Sequence, residues 1–452
     1  MNVLVLYHST QTFTNTVFEH LNSLERFSRH RYFFCHHDAA TAFHVDLTRF
    51  DAIVVHYSLR LPYDQISDSL ASAMAGYVGL KALFIQDEYD NTHRTWNWIR
   101  RLGFQLVFTV VPQAHIATVY PPAEFPGVRF VSNLTGYVPE SLSAARNVPP
   151  PSTRSILIGY RGRPLPLRYG QLGFEKVSIG RMVRAWCQQH AVPCDIAWDE
   201  ESRIYGPAWY DFMVSCRAML GSESGSNVFD WEGDLEGRIA AYRDAHPGVG
   251  DEQVYRTVVE PRELPGLMNQ VSPRVFEAIS SRTVLVLFEG SYSGVVEPGR
   301  HYIALRKDGS NLAEVVALLR DDAYVDAMAE RAWQDVIGSG RYGFPQWVSW
   351  VDSEMESALR SLPPSTADGV IVTKPDHPDG WFDRPAPMTT HPLRFRVVTA
   401  PVRSQRWRGM AVAGWAFVPL PLRPVLRPIV RGVLLPGLRM MQRIMWRRRR
   451  RT

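Results

Sequence analysis

The sequence predicts an α/β fold made of two doubly wound domains. Short apolar runs rich in β-branched residues alternate with segments of helical periodicity from the amino terminus onwards. That pattern is typical of parallel sheets covered by helices on both faces. Three consecutive prolines at 149–151 interrupt the alternation and favour a stiff spacer. A new apolar run at Ser155–Gly159 restarts it, so we expect one domain on each side of the spacer.

The first domain is expected to hold a sheet of short buried strands. The predicted strands are apolar runs bounded by polar residues, at Asn2–Tyr7, Tyr32–Cys35, Ala52–Val55, Ala82–Ile85 and Leu106–Val110. Helices are predicted at 14–21, 66–78 and 96–102. Because open α/β sheets bind ligands at the carboxyl ends of their strands, polar residues that follow strands are the candidates here. The candidates are His56, Asp87, Glu88 and His93.

The second domain is expected to open with a basic loop that contains glycine. Arg161 and Arg163 follow the predicted strand Ser155–Gly159, and Lys176 comes further along in a glycine-containing run. Glycine lets the backbone approach a ligand, and guanidinium groups match phosphate oxygens. The same composition also suits a solvated basic loop. A later predicted strand near Ala218–Leu220 ends in a polar turn that includes Glu223.

The stretch 269–305 organises this second domain. Ser272 followed by Pro273 predicts a helix start, because the hydroxyl can accept from a free amide and proline lacks the amide at that position. Thr283–Phe288 predicts a buried parallel strand after the helix. The amino end of such a helix attracts a diphosphate, and a carboxylate one turn in can accept from a ribose diol. Arg274 and Glu277 would then lie near a strand-end crevice.

This stretch resembles the donor-binding segment of GT-B glycosyltransferases. A Glu-x7-Glu pattern spans a loop and a helix in that family, and Phe276-Glu277-Ala278 matches its second glutamate. Asn269 stands where the first glutamate would fall. Tyr292-Ser293-Gly294 and Glu297–Arg300 resemble the segment that closes such a domain. The resemblance covers about residues 150–345 and implies a GT-B architecture, with two Rossmann-like domains facing a cleft.

The resemblance also implies which residues bind the donor. They are Arg161, Arg163, Lys176, Glu223, Ser272, Arg274, Glu277, Tyr292 and Ser293. Positive side chains would neutralise the leaving diphosphate, and no Asp-x-Asp motif stands at a strand end, so we expect no metal. No cofactor is expected beyond a nucleotide-diphosphate sugar as co-substrate. The Glu277 motif points to retention of the anomeric configuration.

In the first domain the candidates have several possible roles. Asp87 or Glu88 could act as a base if the reaction inverts the anomeric centre. His56 and His93 could bind the sugar or the acceptor, although a lone histidine is more often structural. The charged loop directly after a buried strand is the stronger of these two signals.

The carboxyl-terminal tail carries the excess positive charge. The chain has a net charge of +5, yet no acidic residue follows Asp383 and five arginines close the sequence at 447–451. Apolar residues alternate with arginine from Val425 to Trp446, and prolines interrupt that run. This composition favours short helices on an anionic membrane surface. A nucleic-acid-binding tail or a disordered solubilising tail are the alternatives, and we expect no nucleic-acid partner.

Five segments are therefore expected along the chain. They are a first domain at 1–148, a second at 152–345, a helix at 346–361 that returns to the first domain, a proline-rich linker at 362–404 and the tail at 405–452. Four scattered cysteines without metal-ligand spacing suit a reducing compartment. The amino terminus reads as a strand and not as a secretion signal. We expect a cytoplasmic protein held at the inner face of the plasma membrane.

Two main functional hypotheses follow. The first is a glycosyltransferase that extends a glycan or a lipid-linked acceptor at the membrane. The second is a non-catalytic protein of the same fold that binds a nucleotide or serves as a scaffold, which Asn269 in place of a glutamate keeps open. An epimerase acting on the nucleotide sugar is a third, weaker interpretation.

Overall fold

A computed structural model describes residues 1–8, 15–143 and 148–362, together with the backbone of 397 and 398. This part of the chain holds two parallel sheets flanked by helices, and both lie in one compact unit, Met1–Val398. The predicted α/β class with two doubly wound sheets is confirmed. The predicted linker and tail lie outside the described residues, apart from Leu362 and the backbone of 397 and 398.

The first sheet is parallel throughout and follows the order β2-β1-β3-β4-β5-β6. Its strands are β1 (Asn2–Tyr7), β2 (Arg31–His36), β3 (Ala52–Val55), β4 (Leu80–Phe84), β5 (Leu106–Thr109) and β6 (Arg129–Ser132). Its helices are α1 (Asn15–Phe27), α2 (Asp68–Ala75), α3 (Thr92–Leu102), α4 (Ile116–Val119) and α5 (Glu140–Ser143). The backbone of Val397–Val398 pairs with β2 at the sheet edge. The strand order reverses between β1 and β3, which is where such sheets form a ligand crevice.

The second sheet repeats this order with five parallel strands, β8-β7-β9-β10-β11. Its strands are β7 (Ile156–Arg161), β8 (Cys194–Ala197), β9 (Cys216–Gly221), β10 (Val284–Phe288) and β11 (Tyr302–Leu305). The helices that follow are α6 (Gly170–Gln189), α7 (Pro207–Ser215), α8 (Leu235–Ala245), α9 (Asp251–Val254), α10 (Pro273–Ser280), α11 (Leu312–Arg320), α12 (Asp322–Ala332) and α13 (Phe344–Arg360). Its switch point lies between β7 and β9.

Both faces of the second sheet are covered, which explains why its strands read as continuous apolar runs. One face of β9 and β10 turns Leu220 and Val286 into a core shared with α6, α11 and α12. The opposite face turns Met219, Leu285 and Leu287 towards α7 and α10. The loops at the carboxyl edge of the sheet are therefore held between two packed helical layers.

Loops of the second half complete the core of the first half. Phe229, Leu267 and Met268 are all buried and belong to the apolar core that covers one face of the first sheet. The backbone adds a short ladder, because Asp230 donates to the Tyr89 carbonyl at 2.8 Å and its own carbonyl accepts from Thr92 at 3.1 Å. The two sheets are thus joined by buried apolar contact and backbone hydrogen bonds.

Helix α13 returns to the first sheet, at nearly the position that the sequence predicts. Trp347 is buried against the ring of His20, with ring centroids 4.3 Å apart. Asp352 accepts from the Ser28 hydroxyl at 2.7 Å and from the Arg29 amide at 3.0 Å, just after α1. The carboxyl end of the described chain is therefore anchored to the beginning of the chain.

The structure differs from the sequence predictions at several elements. Helix α6 begins at Gly170, so Lys176 lies on a helix and not in the glycine-containing loop that the sequence suggested. Glycine is needed there for close packing, since a Cβ at Gly180 would lie 2.9 Å from the ring of Tyr160. The chain that follows the polar turn at Glu223 forms α8 from Leu235, and β6 was not predicted. Among the described helices, none is long and apolar enough to cross a membrane.

Candidate functional site

A pocket of about 210 Å³ opens at the carboxyl edge of the second sheet, at its switch point. The inner walls are apolar and come from β9, β10, α7 and α10, with Met213, Met219 and Leu287 among the lining side chains. The mouth is polar and includes Ser222 and Ser272. A concave pocket with an apolar interior and a few polar groups at its rim is the usual form of a small-molecule site.

Three cations line the mouth of this pocket, namely Arg163, Lys176 and Arg274. Among the described residues, none of the three forms an ion pair with a carboxylate. The Lys176 ammonium donates to the Glu223 carbonyl at 2.6 Å and to the Ser224 hydroxyl at 3.2 Å. Burial and the neighbouring Arg274 lower the pKa of Lys176 to about 8. The pocket therefore brings three cations together without a direct ion pair, although Glu175 and Glu223 lie near enough to Lys176 to oppose the fall in its pKa.

The amino end of α10 adds to this positive field. Ser272 caps the helix with extended backbone and accepts weakly from the Arg274 amide at 3.4 Å, and Pro273 occupies the first helical position as predicted. Ser272, Arg274 and Val275 all line the pocket, so the positive end of the helix dipole faces it. An anion in the pocket would be stabilised by both the helix and the side chains.

Glu277 lies one turn into α10 and is held by Trp209 of α7. The indole Nε1 donates to Glu277 Oε2 at 2.8 Å, and no other described group donates to this carboxylate. Burial raises the pKa of Glu277, while the Trp209 bond and the nearby Arg274 oppose that rise. Trp209 thus positions the carboxylate, but Glu277 is not among the residues that line the pocket, and its contact with a donor stays a prediction.

Glu223 has a structural role in place of the predicted donor contact. Its carboxylate is almost fully buried and accepts from the amides of Ser291 and Tyr292, at 3.0 and 2.7 Å, and from the Asn269 side chain at 2.5 Å. These bonds join the ends of β9 and β10 to the loop before α10. The structure corrects the prediction, because the acceptors of Glu223 are already used within the protein.

Tyr292 and Ser293 are also used internally. Tyr292 is fully buried, and its hydroxyl donates to the Phe288 carbonyl at 2.7 Å. The Ser293 hydroxyl accepts from the Val271 amide and donates to Gln270, each at 3.0 Å. Both residues have positive φ, which shapes the turn after β10. The prediction of direct donor contact is therefore wrong for Tyr292, and the Ser293 side chain serves the turn.

Arg161 does not direct its guanidinium at the pocket. The group donates to the Ser202 carbonyl at 3.0 Å and to the Asp195 carboxylate at 2.9 Å, and it lies over the Phe212 ring at 4.2 Å. What Arg161 offers the site is its carbonyl, which accepts from Arg274 Nη1 at 2.5 Å. Arg161 is thus a support for Arg274 and not a phosphate ligand, contrary to the prediction.

His56 is buried at the switch point of the first sheet. Its Nδ1 lies 2.9 Å from the Ser58 hydroxyl, and its Nε2 lies 3.1 Å from His20 Nδ1. Burial and the neighbouring His20 hold the pKa of His56 far below its usual value. The ring has no exposed surface, so the predicted contact with sugar or acceptor is wrong.

The charged loop after β4 separates into exposed and buried members. Glu88 is fully buried and accepts from the Thr109 hydroxyl and, at 3.1 Å, from the Val110 amide, while burial raises its pKa to about 7. It cannot reach a substrate as a base. Asp87 is half exposed and accepts from Arg60 at 3.3 Å and from the Tyr89 hydroxyl at 2.7 Å. Its predicted role remains a prediction.

His93 contacts Trp231 and Glu232 of the second half and does not line the pocket. Its Nδ1 lies 2.9 Å from the Glu232 carboxylate, and its ring packs near Trp96 and Trp231. The residue is exposed at the joint between the two halves. It is accessible to a ligand from solvent, and its predicted role in binding stays a prediction.

Two residues near the site were missed by sequence reasoning. Trp209 was not singled out, because a tryptophan on a short apolar helix cannot be told from a core anchor by spacing. Glu19 on α1 lies close enough to Glu277 for the two carboxylates to repel, and burial with this repulsion raises the pKa of Glu19 to about 7. No sequence signal links Glu19 to Glu277, which is far along the chain. Within the described residues, no group of three or more potential metal ligands occurs.

Comparison with known proteins gives similar structures but no related sequence. No family model matches the chain, and no curated protein matches it. An α-glucosyltransferase in complex with UDP-glucose and DNA aligns over 79% of this chain and 99% of its own, with 10% identity and a TM-score of 0.47. Anabaena HepE in complex with UDP aligns over 80% and 100%, with 12% identity and a TM-score of 0.42. A sucrose-phosphate synthase from Thermosynechococcus elongatus aligns over 79% and 100%, with 10% identity and a TM-score of 0.40. Similarities at this level do not by themselves assign an activity to the chain.

Proposed function

We propose that this protein is a glycosyltransferase that uses a nucleoside diphosphate sugar as donor. The observation that carries the proposal is the pocket lining, where Arg163, Lys176 and Arg274 occur together with the amino end of α10 and form no ion pair with any carboxylate of the described residues. A diphosphate supplies at least two negative charges and several acceptor oxygens in a small volume, which fits such a site. The apolar interior suits the uncharged part of a nucleotide.

The same arrangement would assist departure of the diphosphate. Negative charge grows on the leaving group as the glycosidic bond breaks, and Lys176, Arg274 and the helix dipole would stabilise it, since all three lie at the pocket. Glu277 would accept from the ribose diol and so fix the donor. The reaction does not require a metal in this proposal, and it retains the anomeric configuration, as the Glu277 motif implies.

The acceptor is proposed to be a glycan or a lipid-linked sugar at the cytoplasmic membrane face. Support for this part comes from the sequence, where apolar residues alternate with arginine before the run at 447–451. A variant that ends at residue 404 should leave the membrane fraction in a flotation assay with anionic vesicles. Retention of that variant on the vesicles would contradict the proposed anchor.

A non-catalytic nucleotide-binding role is the second candidate. Asn269 stands at the position of the expected first glutamate, and its side chain is fully engaged. Its oxygen accepts from Asn227 at 2.8 Å, and its amide donates to Glu223 at 2.5 Å. A protein that binds the donor without transferring sugar would fit this arrangement.

Donor binding and turnover tests separate the two candidates. We expect one member of a panel of UDP, GDP, ADP, CMP and dTDP sugars to raise the melting temperature and to release free nucleotide. Glu277→Ala should abolish both effects, while Glu314→Ala, an exposed carboxylate on α11, should change neither. Binding without release would favour the non-catalytic role. Absence of any shift across the panel would contradict the proposed donor site.

A further inference from the structure

Arg274 and Glu277 are spaced for mutual neutralisation, yet they do not pair. They stand three residues apart on α10, the spacing at which opposite charges on a helix form ion pairs. No ion pair joins them in the structure, although Arg274 lies near enough to oppose the rise in the pKa of Glu277. Each is instead held by the same side chain, Trp209 of α7.

Trp209 contacts the two charges through different parts of its ring system. Its edge donates from Nε1 to Glu277 Oε2 at 2.8 Å, which fixes the carboxylate. Its face lies below the Arg274 guanidinium, whose central carbon is 5.3 Å from the ring centroid. A cation over an indole face is attracted by the ring quadrupole. Trp209 is half-buried and lines the pocket, so it stands at the site itself.

A second contact holds Arg274 away from Glu277. Its Nη1 donates to the Arg161 carbonyl at 2.5 Å. Arg161 is itself fixed by the Asp195 carboxylate and by the ring of Phe212, which lies one turn after Trp209 on α7. Helix α7 therefore supplies two aromatic supports, one below each guanidinium. The result is a carboxylate and a cation that are close together but each keep capacity for a ligand.

We propose that Trp209 is a positioning residue that separates Arg274 from Glu277 and so keeps both available to the donor. This inference rests on the proposed function for the roles of the two charges, namely diphosphate and ribose binding. Without the indole, the spacing on α10 favours an Arg274–Glu277 ion pair, which would lower the positive charge at the pocket mouth. Trp209 would then act on donor affinity through Arg274 and not by direct contact with the diphosphate.

A double-mutant cycle with inorganic pyrophosphate tests the separation. Trp209→Leu removes both contacts and should weaken pyrophosphate binding about tenfold. Trp209→Phe keeps an aromatic face for the guanidinium and should weaken it about threefold. In an Arg274→Gln background, Trp209→Leu should weaken pyrophosphate binding less than about twofold, because no cation remains at 274 to pair with Glu277. Equal losses in both backgrounds would overturn the proposal. Trp186→Leu, a half-buried tryptophan on α6 stacked on His190, is the matched control.

A spectroscopic titration reports on the contact independently of ligand. In protein labelled with 5-fluorotryptophan, the ¹⁹F resonance that Trp209→Phe removes should shift with pH, and Glu277→Gln should abolish that shift. A resonance that does not move would overturn the Trp209–Glu277 contact. Pyrophosphate coupling without sugar turnover would reject the proposed transferase and keep this inference, whereas turnover without coupling would reject the inference alone. A wild-type protein that binds no pyrophosphate would overturn both.

Discussion

The two sheets of this protein have the same strand order, but their switch-point crevices differ in charge. In the first, His56 is bonded to Ser58 and His20, while His20 Nε2 is buried without a hydrogen-bond partner among the described residues. In the second, Lys176 and Arg274 line a pocket without a described carboxylate partner. The same topology thus produced one crevice whose buried histidine is hydrogen-bonded within the protein and one that is lined by cations without ion-pair partners.

The comparison teaches that topology alone does not make a ligand site. Burial holds the pKa of His20 at about 3 and that of His37 at about 4, so these two imidazoles are neutral near pH 7. Neutral, mutually bonded groups gain little from a charged ligand. Cations that lack an ion-pair partner beside a helix amino terminus bind an anion favourably, because the anion relieves the repulsion between them.

Removing a cation from the second crevice should have the largest effect on binding. Lys176→Met is expected to weaken nucleoside diphosphate binding by about 10- to 100-fold, the range for losing a hydrogen bond to a charged group. Isothermal titration calorimetry measures the change. Arg181→Met removes an exposed cation from the same helix outside the pocket and should change affinity less than about twofold. Equal effects of the two variants would show that net charge, and not the pocket, binds the nucleotide.

The matching change in the first crevice should affect stability and spare binding. His56→Phe leaves the side chains of Ser58 and His20 without their partner, so we expect a loss of about 1–3 kcal/mol in the free energy of unfolding. Urea unfolding measures this loss. Nucleotide affinity in the folded variant should stay within about twofold of wild type. A larger change in affinity at unchanged stability would place His56 in the binding site after all.

A pH dependence of binding is expected for the second crevice alone. The pKa of Lys176 is about 8 without ligand, and a bound diphosphate would raise it by stabilising the ammonium form. Above pH 8 the free protein must therefore take up a proton to bind. Affinity should fall by up to about tenfold per pH unit between pH 8 and 9.5. In Lys176→Met this fall should disappear, and its persistence would assign the titration to another group.

The sequence predicted the positions of the strands well because their chemistry is local. Runs such as Asn2–Tyr7 and Thr283–Phe288 are apolar throughout, and a strand buried on both faces needs nothing else. The start of α10 was also predictable, since Ser272 and Pro273 signal it within two residues. The glycine-containing run before Lys176 suggested a loop, yet it forms the first turns of α6, where Gly173 permits close packing against Tyr169.

The bonding state of the site residues could not be predicted in the same way. Glu223 and Arg161 have residue types suited to a ligand, but Glu223 bonds to Tyr292, 69 residues away, and Arg161 bonds to Asp195, 34 residues away. Only the folded structure shows that these contacts occupy the hydrogen-bonding groups of Glu223 and Arg161. Arg274 and Lys176 bond to carbonyl and hydroxyl oxygens, and neither forms an ion pair with a carboxylate among the described residues. The available charge is a property of the tertiary structure.

The packing of second-half loops into the first half limits how the protein can be recombined. Phe229, Leu267 and Met268 fill the first sheet's core, although they come from the far side of the proline spacer at 149–151. A chimera joined at that spacer would replace the second sheet and, with it, part of the hydrophobic core of the first sheet. Ancestral shuffling of the two halves would have faced the same barrier. The chain has two sheets, yet the halves that contain them share a core and cannot be exchanged independently.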